Sequence, residues 1–299
     1  MAVAERPSSP GLVRRIAFNT VAVVFVLMCL VLSPLPFVFL GWFIEDDQLA
    51  ASHRIHEISF GLVFLLCLVA ALALLRKPRL RIAQTYQMAV PIALLVASFF
   101  LVDRGFDVIA LLFLIMPALL IALHPVRTQV LRPRFRPSAL LLAAAAVAAV
   151  PLLVFSVQQF ATGVEAAALA KGPIEALPED ASDKDYERAL ARATDTQAEL
   201  ETARHYGHWS AMGSFALIVV FLSAIGALRP QGWRFPAWSA AVAVIVYGAA
   251  SLAFPGSSSG ADGLVAILAV AWGIGFIVAA EIEVRRDPAA RAREVASPA

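Results

Sequence analysis

The stretch His205-Tyr-Gly-His208-Trp-Ser-Ala-Met-Gly213 opens an apolar run that continues to Leu228. The run is long enough to cross a membrane, which takes about 20 mostly apolar residues in a helix. The whole chain has 299 residues, of which 60% are hydrophobic and 15% charged. A soluble protein carries roughly 25% charged residues. The composition therefore indicates a protein that lies mainly in the lipid bilayer.

A second stretch has the same pattern, since His53-Arg-Ile-His56-Glu-Ile-Ser-Phe-Gly61 opens an apolar run to Leu75. In both stretches a glycine follows the second histidine by five residues and a proline follows it by 22. Four of the five histidines in the chain lie in these two settings. The match predicts an internal duplication.

Eight segments are long and apolar enough to span a bilayer: residues 16–43, 55–75, 84–102, 106–124, 138–160, 208–228, 236–254 and 263–281. We predict an all-α polytopic membrane protein with eight transmembrane helices in two four-helix units. Pro34 and Pro36 predict a kink in the long first segment, because proline lacks a donor N–H and clashes with the preceding turn.

The chain is expected to divide into the two units at a basic linker. The first unit is expected to cover residues 1–124 and the cytoplasmic linker residues 125–137. The second unit is expected to cover residues 138–283, with an outer segment at 161–204. Residues 284–299 are polar and alanine-rich, which predicts a disordered cytoplasmic tail.

The loops differ in charge on alternate sides. Three loops together hold ten basic residues and no acidic one: Arg76, Lys77, Arg79, Arg81, Arg127, Arg132, Arg134, Arg136, Arg229 and Arg234. Segment 161–204, by contrast, has ten acidic and five basic residues. Because basic loops stay in the cytoplasm, both termini are predicted to be cytoplasmic in a multi-pass plasma-membrane protein. The net charge of +2 averages over two opposite faces and does not indicate a nucleic-acid partner.

The outer segment contains a helix signal. Ser182-Asp-Lys-Asp185 resembles a capping box, and apolar residues follow it at helical spacing. The pattern predicts an amphipathic helix over 182–204, which offers a docking surface for an extracytoplasmic protein partner.

The histidine pairs are the candidate site. Residues three apart share a helical face, so His53 and His56 are expected to point the same way, as are His205 and His208. Neutral imidazole is a common ligand for zinc, copper and iron. The four rings, with Glu57 beside them, therefore predict a transition-metal site. Alternatively, one histidine from each unit holds haem b from opposite sides. His56 and His208 are the lead ligands in either case.

The arrangement resembles the haem A synthase type of membrane protein, which has two four-helix units and outward histidines. The string His53-Arg54 with Gly61 eight residues on is similar to that family's opening of its second span. The resemblance implies outward haem or metal binding. The chain differs at Ala50, where the family has a catalytic glutamate, and at Asp107 and Asp262, where the family has histidines. Those differences argue against haem A synthesis itself.

Three functions are compatible with these features. The first is a redox or cofactor-handling role at the outward histidine site, and the second is a non-catalytic subunit or assembly factor that docks a partner through 182–204. The third is a permease for an uncharged solute. The pattern leaves open whether the protein is an enzyme.

Overall fold

The computed structural model describes residues 11–31, 48–103, 108–178, 180–205, 207–257 and 259–286. Within these ranges the secondary structure is helical. In chain order the helices are α1 (Leu12–Val31), α2 (Gln48–Arg76), α3 (Ile82–Asp103), α4 (Val108–Leu123), α5 (Arg127–Leu131), α6 (Ala139–Glu175), α7 (Asp183–Ala193), α8 (Gln197–Arg204), α9 (His208–Leu228), α10 (Arg234–Ala253) and α11 (Gly263–Arg286). A short 3₁₀ turn, Pro78–Leu80, joins α2 to α3.

Seven of the described helices are long and apolar enough to cross a membrane: α1, α2, α3, α6, α9, α10 and α11. The prediction of an all-helical, multi-pass membrane protein is therefore confirmed. The predicted span at 106–124 corresponds to α4, whose described 16 residues are fewer than the roughly 20 of a typical span. The number of eight spans stays a prediction. The expected kink at Pro34 and Pro36 and the expected tail at 287–299 lie outside the described residues.

Helix α9 lies at the centre of the bundle, where it packs against α2, α3, α6 and α10. Two closed sets of neighbouring helices lie around α9, and α2 and α3 of the first set also contact α10 and α6 of the second. Helix α1 contacts α2 and α4, and α3 contacts the same two helices. Helix α6 contacts α9 and α11, and α10 contacts those two helices as well. Peripheral helices such as α6 turn large apolar side chains outward, as a lipid-facing surface requires.

Small residues allow α9 to approach its neighbours closely. A Cβ added at Gly213 would lie only 2.5 Å from Cε1 of Phe160 on α6. The Ser156 hydroxyl of α6 donates to the Gly213 carbonyl oxygen at 2.9 Å, and the hydroxyls of Ser98 on α3 and Ser214 on α9 hydrogen-bond to each other. Close approach and interhelical hydrogen bonds are the main attractions between helices in lipid, where apolar burial supplies little.

The bundle has two ends of different chemistry. We call the end where α2 and α9 finish the arginine end, because Arg76 and Arg229 lie there. The loop after α9 is fixed by ion pairs with α11: Arg229 contacts Glu283 at 2.9 Å, and Arg234 forms two hydrogen bonds with Glu281 at 2.8 and 2.9 Å. The same loop receives a backbone hydrogen bond from Ala83 to Gln231, which ties it to the start of α3.

Arg14 of α1 caps the C-terminus of α4 at the arginine end. Its guanidinium donates to the carbonyl oxygens of Ala122, Leu123 and His124 at 2.9 to 3.2 Å. A cation at a helix C-terminus is stabilising because the last carbonyls carry partial negative charge. His124 is itself buried edge-on against Phe18, so the cation that compensates this terminus is Arg14.

The opposite end, which we call the histidine end, contains His56 and His208. Helix α6 has 37 residues and is therefore about 55 Å long, whereas a bilayer core is about 30 Å thick. It starts at the arginine end and extends well past the histidine end. The predicted span at 138–160 starts correctly, since Ser138 is the N-cap. The helix continues past the predicted end of the span, to Glu175.

The segment after α6 folds onto that extension. The capping box at Ser182 and Asp185 is confirmed, and the hydrogen bonds that Asp185 receives from Ser182 lower the pKa of its carboxyl group. The single predicted helix over 182–204 is wrong, because a second capping box at Thr196 and Glu199 starts α8 separately from α7. Leu190 is buried between the two helices and α6, against Ala170 and Ala203. We call α7, α8 and residues 164–175 of α6 the protruding module.

A matched pair of glycine substitutions tests the packing of α9. Gly213→Ala is expected to lower the free energy of unfolding by about 1–3 kcal/mol, because the new methyl group overlaps the Phe160 ring. Gly275→Ala on α11 is the control, since a Cβ there meets nothing within 4 Å and alanine favours a helix over glycine. Thermal unfolding in detergent compares the two. Equal melting temperatures for both variants would show that α9 and α6 are not in close contact at Gly213.

Candidate functional site

Three imidazole rings meet at the histidine end of the bundle. The centroid of the His56 ring lies 5.0 Å from that of His205 and 5.3 Å from that of His208, and the latter two are 6.3 Å apart. His56 and His205 are fully buried. The structure thus brings together three of the four histidines that the sequence singles out. The His53 side chain lies outside the described residues.

The three rings come from three different helices. His56 lies in the third turn of α2, His205 is the C-cap residue directly after α8, and His208 is the first residue of α9. The expectation that His205 and His208 share one helical face is wrong. Gly207 lies between them with φ +84°, a conformation that residues with a Cβ rarely adopt. The chain turns there, and the His208 N–H donates to the His205 carbonyl oxygen at 2.9 Å.

Trp209 closes one side of the cluster. Its ring lies 5.1 Å from the His56 ring, at an interplanar angle of 90°, and 5.8 Å from the His205 ring. Its indole N–H donates to the Thr202 carbonyl oxygen of α8 at 3.1 Å. From the sequence Trp209 resembles an ordinary residue of the membrane interface. The structure gives it a second role, which is to link the histidines to the protruding module.

A loop between α10 and α11 covers His56. The Ser259 hydroxyl donates to Oε1 of Gln159 at 2.8 Å and lies 3.4 Å from Nε2 of His56. The Ser259 hydroxyl thus lies between Gln159 of α6 and the His56 ring of α2. Ser259 has φ +58°, a left-handed conformation that is costly for serine, and the Tyr247 hydroxyl fixes it by donating to the Ser259 carbonyl oxygen at 2.8 Å.

The backbone carbonyl of Glu201 holds the His205 ring in one tautomer. Its Nδ1 lies 2.7 Å from the carbonyl oxygen of Glu201, which can only accept, so Nδ1 carries the proton and Nε2 the lone pair. A backbone carbonyl that fixes the tautomer and orientation of an imidazole is also the usual support of metal-binding histidines. The His205 ring held in this way is in direct contact with the buried His56 ring, with 5.0 Å between the ring centroids.

The acidic candidates stand apart from the cluster. Glu57 directly follows His56 in α2, and neighbouring residues in a helix do not face the same way. Asp262 is exposed, and its side chain accepts from the Val265 N–H at the start of α11. Asp107 lies outside the described residues. Within the described ranges, no group of three or more His, Cys, Asp or Glu side chains has the arrangement that a metal ion requires.

The fold and the cluster together define a multi-pass helical membrane protein with a buried imidazole and hydroxyl site near one end. Comparison of the chain with protein-family models, curated proteins and solved structures found no match. Of the site residues, the sequence identified the histidines. The sequence did not identify Ser259 or Tyr247. Ser259 lies in a serine-rich loop and Tyr247 in an apolar helix, and neither segment has a pattern that indicates a site.

Substitution of Gly207 tests the turn that positions His205 and His208. Gly207→Ala is expected to cost about 1–2 kcal/mol, because its backbone is left-handed, and not because of a clash, since the nearest atom is 3.8 Å from the new Cβ. Gly172→Ala in α6, which has no atom within 4 Å of its Cβ, is the control. Thermal unfolding measures the difference. A Gly207→Ala protein as stable as the control would mean that residues 205–208 continue as one helix.

Proposed function

We propose that the protein spans the plasma membrane eight times, in two four-helix units with their histidine end outside the cytoplasm. The two closed sets of helix contacts, α1 to α4 and α6 with α9 to α11, support the two units. The basic loops at the arginine end support the orientation. In this arrangement His56 lies on the second span of the first unit and His208 on the second span of the other.

We propose that the histidine cluster binds one transition-metal ion. The contact of three imidazoles from three helices, at ring separations of 5.0 to 6.3 Å, carries this proposal. An ion held at about 2 Å by two imidazole nitrogens puts the two ring centroids about 5 to 6 Å apart. His56, His205 and His208 are the proposed ligands, with His53 as an additional candidate. Such nitrogen ligands suit zinc, copper, nickel or iron.

Binding requires the side chains to reorient. In the described residues the ring nitrogens do not form a metal-binding group, although two of the three ring separations, 5.0 and 5.3 Å, fall within the range that a shared ion requires. Rotation about the side-chain torsions of His56 and His208 would turn the nitrogens toward a common point, while the Glu201 carbonyl keeps His205 in place. An ion of copper or iron at this point would support a redox or cofactor-handling role.

The geometry favours a bare ion over haem. In a haem with two histidine ligands the porphyrin ring separates the imidazoles. Here the rings of His56 and His208 are in edge contact, and Trp209 and His205 pack against the same His56 ring. Haem b would therefore need the helices to move apart, whereas an ion needs only rotamer changes. The resemblance to the haem A synthase type supports an outward histidine site of either kind.

Metal binding by purified variants tests the proposal. The protein is stripped with a chelator, loaded in turn with zinc and copper, desalted, and analysed for bound metal and for a haem Soret band. We expect about one ion per chain in the natural protein, and at least tenfold weaker binding in His56→Gln and in His208→Gln, because each variant loses a ligand. His124→Gln is the matched control, since His124 is also buried but lies at the arginine end.

The outcomes separate the candidate functions. Equal metal binding in all variants, or none in the natural protein, would contradict the metal site. A Soret band lost in His56→Gln would establish the haem alternative. In intact cells, we expect a membrane-impermeant chelator to remove the ion, because the site is proposed to face outward.

A docking role is the second candidate, and the protruding module favours it. The module extends beyond the expected bilayer boundary and lies in the segment with ten acidic and five basic residues. Arg204 joins its helices through Glu187 at 2.7 Å and Glu201 at 2.6 Å. This acidic and ordered surface suits a protein partner with a basic face. The same surface adjoins His205, so docking and metal binding are compatible.

A further inference from the structure

A groove at the arginine end opens sideways between α2 and α10. Its volume is about 790 Å³, within the range of about 300–1,000 Å³ that is usual for ligand sites. Leu65, Trp238 and Val242 line it and are each 37–44% exposed. Because these side chains lie on the lateral surface of the spans, the groove faces the position of the lipid.

The two halves of the groove differ in chemistry. Toward mid-membrane its walls are apolar, with Leu62, Leu66 and Val69 on α2 and Ala243 on α10. At the arginine end the described lining has four basic residues, Arg76, Lys77, Arg81 and Arg234, and no acidic one. A molecule with an anionic head and apolar chains matches this arrangement.

Among the described side chains, three of these cations have no acidic partner. Arg234 is paired with Glu281, and the neighbouring Arg229 with Glu283. Among the described residues, no acidic side chain forms an ion pair with Arg76, Lys77 or Arg81. Positive charge therefore remains on the side of the groove formed by the end of α2 and the start of α3.

A buried acceptor in the groove points independently to a ligand. Gln84 is only 1% exposed and lines the groove. Its Nε2 donates to the Gly232 carbonyl oxygen at 3.1 Å, whereas its Oε1 has no hydrogen-bond partner among the described residues. A buried acceptor without a donor costs free energy, so a donor from a bound molecule would stabilise it. The hydroxyl groups of a glycerol head are such donors.

The geometry points to a binding site for one anionic phospholipid between α2 and α10, at the arginine end. The phosphate lies against Arg76, Lys77 and Arg81, a head-group hydroxyl donates to Gln84, and an acyl chain follows the apolar wall toward Val242. Basic recesses between membrane helices bind anionic lipid heads in this way. The site is separate from the histidine cluster and does not depend on it.

Native mass spectrometry of the delipidated full chain tests the proposal. The protein is titrated with phosphatidylglycerol and with phosphatidylcholine of the same acyl chains. We expect one phosphatidylglycerol per chain, bound at least tenfold more tightly than phosphatidylcholine. Arg76→Gln with Arg81→Gln is expected to weaken phosphatidylglycerol binding roughly 10- to 30-fold, from the attraction of about 1 kcal/mol per basic residue near a lipid surface.

Two further variants separate this site from general attraction to a basic surface. Arg132→Gln with Arg134→Gln removes the same charge from exposed positions of the linker and is expected to leave binding unchanged. Val242→Trp keeps every charge but fills the apolar wall, and is expected to weaken binding at least fivefold even if the arginine pair fails to fold. Equal binding of the two lipids, equal losses in both arginine pairs, or full competition by inorganic phosphate would overturn the proposal.

Discussion

The packing of α9 constrains the rest of the molecule, because α2, α3, α6 and α10 all lie against it. In lipid this contact cannot rest on apolar burial, since the lipid tails are as apolar as the side chains. It rests on the close approach allowed by Gly213 and on the hydroxyls of Ser98, Ser156 and Ser214. Since His208 starts α9 and His56 lies on α2, the same packing sets the distance between these two rings.

Buried polar groups have different partners at the two ends of the bundle. At the arginine end, charges are paired across helices by Glu281 and Glu283, and the cations left over face a lateral groove. At the histidine end, imidazole rings contact one another, and the Glu201 carbonyl oxygen and the Ser259 hydroxyl lie against two of them. A polar group buried in an apolar setting is costly unless it is hydrogen-bonded, and these contacts lower that cost.

Much of the fold can be predicted from the sequence, because hydrophobic length and loop charge are local properties. The span at 208–228 matches α9 to the residue, and the capping box at Ser182 is present as expected. Hydropathy alone does not show that α6 continues past the predicted span to Glu175, since residues 161–175 are less apolar but include many good helix formers such as alanine. The break before α8 also has a sequence signal, the capping box of Thr196 and Glu199. The apolar residues continue at helical spacing across this break, so their pattern alone predicts a single helix.

The site could be predicted only in part, for a physical reason. The repeated histidine pairs place two rings near the ends of two apolar helices, and the structure brings these two ends together. The position of His205 in the cluster depends on the left-handed backbone of Gly207. The position of Ser259 depends on a hydrogen bond to its carbonyl oxygen from Tyr247 of α10. Such contacts join residues that are far apart in the sequence, so no local sequence pattern predicts them.

An experimental density map of the protein in a lipid nanodisc would test the convergence of the imidazoles most directly. The map is expected to show the His56 ring buried in contact with those of His205 and His208, at centroid separations near 5.0 and 5.3 Å, beneath the Ser259 loop. A His56 ring turned toward lipid, with His208 beyond contact distance, would contradict a shared site.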